Sequence, residues 1–150
     1  MDIEKVRTIL RATKASAGGG FGESIVLNLE VVTTWTDKER IVVEFSLPLM
    51  DELLNSSGTL HGAAATTIID EITNIVTHVQ DRVPRETSSV TLSTSFTSAA
   101  VAGEHLRILA RCDKVGKSFA FAYAEIFVGN RLVASGKHSL FVFPRPLKID

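Results

Sequence analysis

One long helical pattern in a chain otherwise built for strands constrains the fold most. After Leu60, the positions Ala65, Ile68, Ile69, Ile72, Ile75, Val76 and Val79 recur at spacings of three and four, the period of a helix with one apolar stripe. The pattern runs to about Gln80. β-Branched runs and turn-forming stretches flank it. Residues 24–34 and 40–47, separated by Thr36-Asp37-Lys38-Glu39, predict an antiparallel hairpin. Residues 88–98, 104–113, 119–127 and 131–143 predict four more strands, broken at Ala102-Gly103, at 114–117 and at Gly129-Asn130. Residues 2–14 predict a short amphipathic helix through Ile3, Val6, Ile9 and Leu10. Residues 17–22 read as a glycine-rich link ending this N-terminal part, 1–23, and residues 144–150 as a loose tail. The order is helix, two strands, long helix, four strands. It defines an α+β domain whose antiparallel sheet wraps one helix, and 150 residues suffice for one such domain with a real core.

Composition removes several classes of function. A formal net charge of −1 gives no bulk attraction to nucleic acid or to an anionic membrane. The single cysteine, Cys112, excludes an intrachain disulfide and any cysteine-based metal site within one chain. No run approaches the roughly 18 apolar residues of a membrane span, and the N-terminus lacks the apolar core of a secretory signal. The expectation is a soluble intracellular protein, cytoplasmic or mitochondrial. Gly116-Lys117-Ser118 imitates the end of a phosphate loop, but Arg111 stands where its first glycine is needed and a strand follows. His61, His78, His105 and His138 show no metal-ligand spacing, so no metal is expected.

The remaining chemistry sits on the central helix. On a helical wheel the apolar positions cluster within roughly 60° of one direction, and Asp70 lies about 180° away amid Thr66, Thr73, Asn74 and Thr77. Threonine is a poor helix former, and a merely solvated face would favour Glu, Lys or Gln. No Lys or Arg precedes Arg82 on this helix, so Asp70 has no i,i+4 cation. Such a face suits a packed interface. His61-Gly62 opens the helix, where a backbone N–H at the positive dipole end can stabilise an oxyanion, and Asn55 is close enough in sequence to add an amide donor. From His61 to Asp70 the helix would advance about 13 Å and two and a half turns, leaving the two on opposite faces. One reaction centre using both therefore needs two chains.

Asn55-x5-His61-Gly62-x7-Asp70, followed by Ser88-Ser89-Val90-Thr91-Leu92-Ser93-Thr94-Ser95-Phe96, resembles the hotdog-fold acyl-CoA thioesterases. Within that family it is most similar to the thioesterase superfamily member 2 (acyl-coenzyme A thioesterase 13) and phenylacetate-pathway branch. The resemblance implies a hotdog fold, a curved antiparallel sheet around the long helix, and subunits paired edge to edge and again into a homotetramer. Asp70 would be general base or nucleophile, and Ser89, or its neighbour Ser88, would help place the water. Glu71 is the alternative carboxylate. Asn55 and the Gly62 N–H, from the partner subunit, would polarise the thioester carbonyl, with His61 orienting Asn55. Lys114, Gly116, Lys117 and Ser118 match the stretch lining the coenzyme A groove, and Thr91 and Phe96 would lie along the substrate. The chain departs from the family at Ala63, where a second glycine is usual, and at Thr91 and Ser93. The implied activity is hydrolysis of acyl-CoA with no cofactor beyond the coenzyme A of the substrate. A non-catalytic acyl-CoA-binding or scaffold protein is the alternative. Hydratase chemistry expects an Asp-x4-His pairing, and Asn74 and Ile75 follow Asp70 at that spacing instead.

Overall fold

The computed structural model describes residues 3–149. Helix α1 (Ile3–Ala15) and a short helix α2 (Glu23–Asn28) precede strands β1 (Glu30–Asp37) and β2 (Arg40–Pro48). A 3-10 turn at Asp51–Leu53 leads to the long helix α3 (Gly62–Gln80). Strands β3 (Arg85–Phe96), β4 (His105–Val115), β5 (Phe119–Val128) and β6 (Arg131–Pro146) follow. All six strands form one antiparallel sheet in the order β1-β2-β4-β5-β6-β3. No helix among the described residues is long and apolar enough to cross a membrane.

Strand parity explains why the sheet can wrap a helix. On β5 the inward positions Ala120, Ala122 and Ala124 are small and buried, so the backbone of α3 can come close. The outward positions of the same strand carry Phe119, Phe121, Tyr123 and Phe127. The closest approach is at Gly136 of β6, where a Cβ would stand 2.7 Å from Ile69 Cγ2 and 3.1 Å from the Ser93 carbonyl. Only a residue without a side chain fits under α3 there.

Three expectations need correction. Residues 24–28, predicted as strand, form α2. Its buried residues Ile25 and Val26, with Leu29 next in line, share one helical side while Leu27 is exposed, so burial overrides the β-branched propensity. The supposed tail is held: β6 runs on to Pro146, the Leu147 N–H donates to the Pro84 carbonyl at 2.8 Å, and Ile149 packs on the core. The apolar stripe of α3 is also wider than the wheel implies, because Thr73 and Thr77 are buried too. Their hydroxyls donate to the Ile69 and Thr73 carbonyls at 2.6 and 2.8 Å, which satisfies each within the helix and removes most of the burial cost. Asp2 of the predicted first helix and Asp150 lie outside the described residues.

Candidate active site

Asp70 leaves α3 on the side facing β3 and β6. Its side chain is 43% exposed, and Oδ1 lies 3.8 Å from Nε2 of His138. His138 is on an inward position of β6 and is 1% exposed. Its two ring nitrogens have distinct partners: Nδ1 meets Thr73 Oγ1 at 2.7 Å, and Nε2 meets Ser89 Oγ at 2.7 Å. Thr73 already donates its one hydroxyl proton to the Ile69 carbonyl, so it must accept from Nδ1–H. A neutral imidazole then has a lone pair on Nε2, which accepts the Ser89 hydroxyl proton. Burial lowers the His138 pKa, with the Asp70 charge pulling the other way, in keeping with that neutral form. Ser89 is left with an oxygen lone pair to accept a proton from a water, beside the Asp70 carboxylate.

Register decides between the two serines. Ser89 pairs with Leu140, which is buried beneath α3, and Ser88 pairs with Phe141 on the outer face. Only Ser89 reaches His138. A shift in register between Ser89 and Thr91 then turns Thr91 toward the outer side, opposite Ser139. Phe96 returns to the inner side, where its ring would stand 3.5 Å from a Cβ at Gly62.

At the other end of α3, His61 is the N-cap: its Nδ1 accepts from the Ala63 N–H at 3.0 Å, and its carbonyl accepts from the Ala65 N–H at 2.9 Å. Among the described residues the Gly62 N–H has no acceptor, which leaves it free at the positive end of the helix. Asn55 is folded into its own turn. Oδ1 accepts from the Ser57 and Thr59 N–H groups at 3.0 and 3.1 Å, and Nδ2 donates to Thr59 Oγ1 at 2.8 Å. One Nδ2 proton remains available. No hydrogen bond joins His61 to Asn55 among the described residues; His61 is engaged by the helix it caps.

The 114–118 stretch is the β4–β5 turn. Gly116 N–H donates to the Phe119 carbonyl at 2.7 Å, and Val142 N–H donates to the Ser118 carbonyl at 2.8 Å. Lys114 and Lys117 are exposed. Arg85 ties the turn to the end of α3, donating at 3.0 Å to both the Gly116 and Lys117 carbonyls and at 2.9 Å to Asp81. Asp81 is eleven residues beyond Asp70, about 16 Å along the helix axis. The turn and the carboxylate thus lie at two ends of one surface.

Glu71 points away from this group, toward Gly22. Burial, and then the Asp70 charge, raise its pKa from 4.5 to about 7. The carboxylate beside Ser89 is Asp70.

A family model described as the thioesterase superfamily matches residues 57–135, just over half of the chain. The chain belongs to the thioesterase superfamily. The matched span holds Gly62, Asp70 and Ser89, while Asn55 and His138 lie just outside it. Mouse acyl-coenzyme A thioesterase 13 is 29% identical to this thioesterase over 103 residues, covering 67% of this chain and 71% of that protein. Zebra fish thioesterase superfamily member 2 superposes with a TM-score of 0.78 at 26% identity, covering 95% of this chain and 99% of the other. A Streptococcus pneumoniae thioesterase solved with coenzyme A superposes with a TM-score of 0.69 at 18% identity, over 81% and 90% of the two chains. The curved sheet around α3 is the hotdog fold, as the sequence resemblance implied.

Sequence reasoning missed His138, weighing it only as a metal ligand. The available signal was parity: it shares inward positions with Ala134, Gly136, Leu140 and Val142, where a polar ring needs partners.

Proposed function

We propose that this thioesterase hydrolyses acyl-CoA thioesters at a site shared by two subunits, using only its own side chains and backbone. Asp70 of one subunit takes a proton from a water that donates its other hydrogen to Ser89 Oγ. The water oxygen attacks the thioester carbonyl. The oxyanion accepts hydrogen bonds from the Gly62 N–H and Asn55 Nδ2 of the second subunit. Collapse of the tetrahedral species expels the thiol of coenzyme A, with the proton held by Asp70 as its source. The observation that carries this reading is the Thr73–His138–Ser89 chain beside Asp70, which orients a hydroxyl at a carboxylate that has no Lys or Arg partner among the described residues.

The shared site rests on two features. Gly62 opens α3 while Asp70 lies eight residues, about 12 Å, further along it, and among the described residues β3 is a sheet edge with no strand beyond it. Edge-to-edge pairing of β3 would cover the exposed Val90 and Phe96. The outer sheet face carries an edge-to-face aromatic set, Phe119, Phe141 and Phe143, flanked by Arg107, Arg111 and Arg145, each stacked on a ring. A second dimer packed there would give the homotetramer. Acyl-CoA as the thioester is supported by the acyl-coenzyme A thioesterase relative and by the coenzyme A bound in the Streptococcus pneumoniae structure. The exposed Lys114 and Lys117 would meet its phosphates. Asp70→Asn keeps shape and removes the base, so thiol release from acyl-CoA should fall by roughly 10²- to 10⁴-fold with the melting temperature preserved; wild-type turnover would overturn the mechanism.

One observation favours a second reading, a non-catalytic acyl-CoA holder: the Asn55 amide is already engaged by Thr59. Saturable acyl-CoA binding without thiol release would identify it.

A further inference from the structure

The sheet has two edges, and the proposed dimer uses only β3. The other is β1, which pairs on one side with β2. Among the described residues no backbone hydrogen bond outside that ladder reaches residues 30–37. A bulge shifts the register between Val31 and Thr33, and pairing is then regular from Thr33 to Asp37. Sheet edges are commonly guarded by lysine or proline. Thr33, Thr34, Trp35 and Thr36 supply neither, and all four favour extended backbone. Trp35 is exposed on the outer sheet face, opposite Val42.

Helix α1 lies beside the start of this edge. It buries Val6, Ile9 and Leu10, which leaves Arg7, Arg11 and Lys14 on one outward face at spacings of four and three. A groove of about 260 Å³ runs between these cations and Leu29, Glu30 and Val31. Arg7 gives an N–H to Glu4 at 2.7 Å, and Arg11 gives one to Thr8 Oγ1 at 3.2 Å, so each guanidinium keeps most of its five donors open. The Lys14 ammonium has no partner among the described residues. Glu30 also borders the groove, but it pairs with Ser46, next to buried Phe45. Strand parity therefore sends its carboxylate to the outer sheet face, away from α1.

We propose that the β1 edge takes an extended, acidic segment of a partner protein as a seventh antiparallel strand, with Arg7, Arg11 and Lys14 holding the acidic side chains at its C-terminal end. Main-chain bonds to an open edge give affinity in this mode of recognition, and side-chain contacts give specificity. Thr33–Asp37 supplies the regular edge, and the cations lie where an antiparallel strand would leave it, over Leu29–Val31. The opposite orientation would set the same acids beside Asp37 and Glu39, so charge selects one direction. A second copy of the chain suits this edge less well. Dimers already joined through β3 and joined again through β1 would grow into an open-ended sheet, the outcome that edge design avoids.

The probe is a fluorescent, N-acetylated peptide of five alternating threonines and valines followed by three glutamates, titrated into the full chain and read by anisotropy. Binding should be saturable, and hydrogen exchange should slow at the amides of residues 33–37 while those of β3 stay as they were. The double variant Arg11→Glu/Lys14→Glu changes only surface side chains and should weaken binding about tenfold or more. Moving the glutamates to the N-terminal end should weaken it by a similar factor. N-methylation of alternate peptide nitrogens keeps the charge and removes the ladder bonds, so it should abolish binding. Three results would each overturn the inference: no saturable binding, equal binding by the N-methylated peptide, or equal binding by the charge-reversed variant. Protection of residues 33–37 that grows with protein concentration in the absence of peptide would also overturn it, in favour of a second copy. Thiol release from acyl-CoA should be the same in wild type and the double variant, so failure here leaves the hydrolase reading standing. An inactive wild type that still binds the peptide would refute the hydrolase alone.

Discussion

Gly136→Ala is the perturbation whose effect can be worked most directly from geometry. The added Cβ would stand 2.7 Å from Ile69 Cγ2, 3.1 Å from the Ser93 carbonyl and 3.2 Å from Ile69 Cδ1. Ordinary contact begins at 3.4 Å, so the first gap is about 0.7 Å short. Ser93 is backbone of the neighbouring strand and cannot yield. Ile69 is fully buried, so it must leave its rotamer or carry α3 away from the sheet. Overpacking of this kind costs about 1–3 kcal/mol, roughly 2–12 °C of melting temperature for a chain this size. Asp70 is the next residue, so a lifted helix moves its carboxylate away from Ser89 and His138. Misplacement by 1 Å can cost about 10²-fold in rate, and 0.7 Å scales to roughly 10- to 30-fold. Urea unfolding and kcat/KM on one acyl-CoA measure the two effects together. A variant as stable and as active as wild type would refute the claim that Gly136 sets the height of Asp70.

Other perturbations separate the remaining parts. Glu71 holds its proton to about pH 7 when folded, against 4.5 as its ordinary value. Between those pH values the unfolded chain binds fewer protons, so stability falls as pH rises, and the loss is complete above 7. The ceiling is about 3 kcal/mol; half-exposure reduces it to about 1–2. Glu71→Gln should therefore gain that much over wild type at pH 8 relative to pH 5 in urea titrations, and an equal difference at both pH values would contradict it. His138→Ala should lower kcat by roughly 10-fold or more with little change in KM, since it frees the Ser89 hydroxyl to rotate; a change confined to KM would point to substrate binding instead. Val90→Lys puts a charge on the open edge of β3, and sedimentation should show monomers without activity. Active monomers would sink the shared site.

How much was legible in the sequence differs between fold and site. The period of residues 65–79 could be read because an amphipathic helix among alternating strands has no competing pattern, and α3 runs from Gly62 to Gln80. Residues 24–28 misled because Ile25 and Val26 carry strand propensity, while the contacts that bury them come from elements distant in sequence. The threonine face was expected to pack, and it does so within the chain: Thr73 meets His138 of β6. A wheel cannot distinguish a neighbouring sheet from a second subunit. Asp70 stood out by charge alone. Ser89 could be separated from Ser88 only through the register with β6, and His138 only through strand parity, since both depend on partners some fifty residues away. The Asn55 turn was invisible because four side-chain and backbone bonds to residues 57 and 59 look like any polar loop in a sequence.

The central claim is that each reaction centre takes Asp70 from one subunit and Asn55 with Gly62 from another. Asp70→Asn and Asn55→Ala should each be nearly inactive alone, the latter by about 10²- to 10³-fold. Unfolding the two together and refolding them should give mixed dimers with one intact site and one doubly defective site, restoring about a quarter of wild-type thiol release. Activity that stays at the level of the two parents, with subunit exchange verified by mass, would contradict the account.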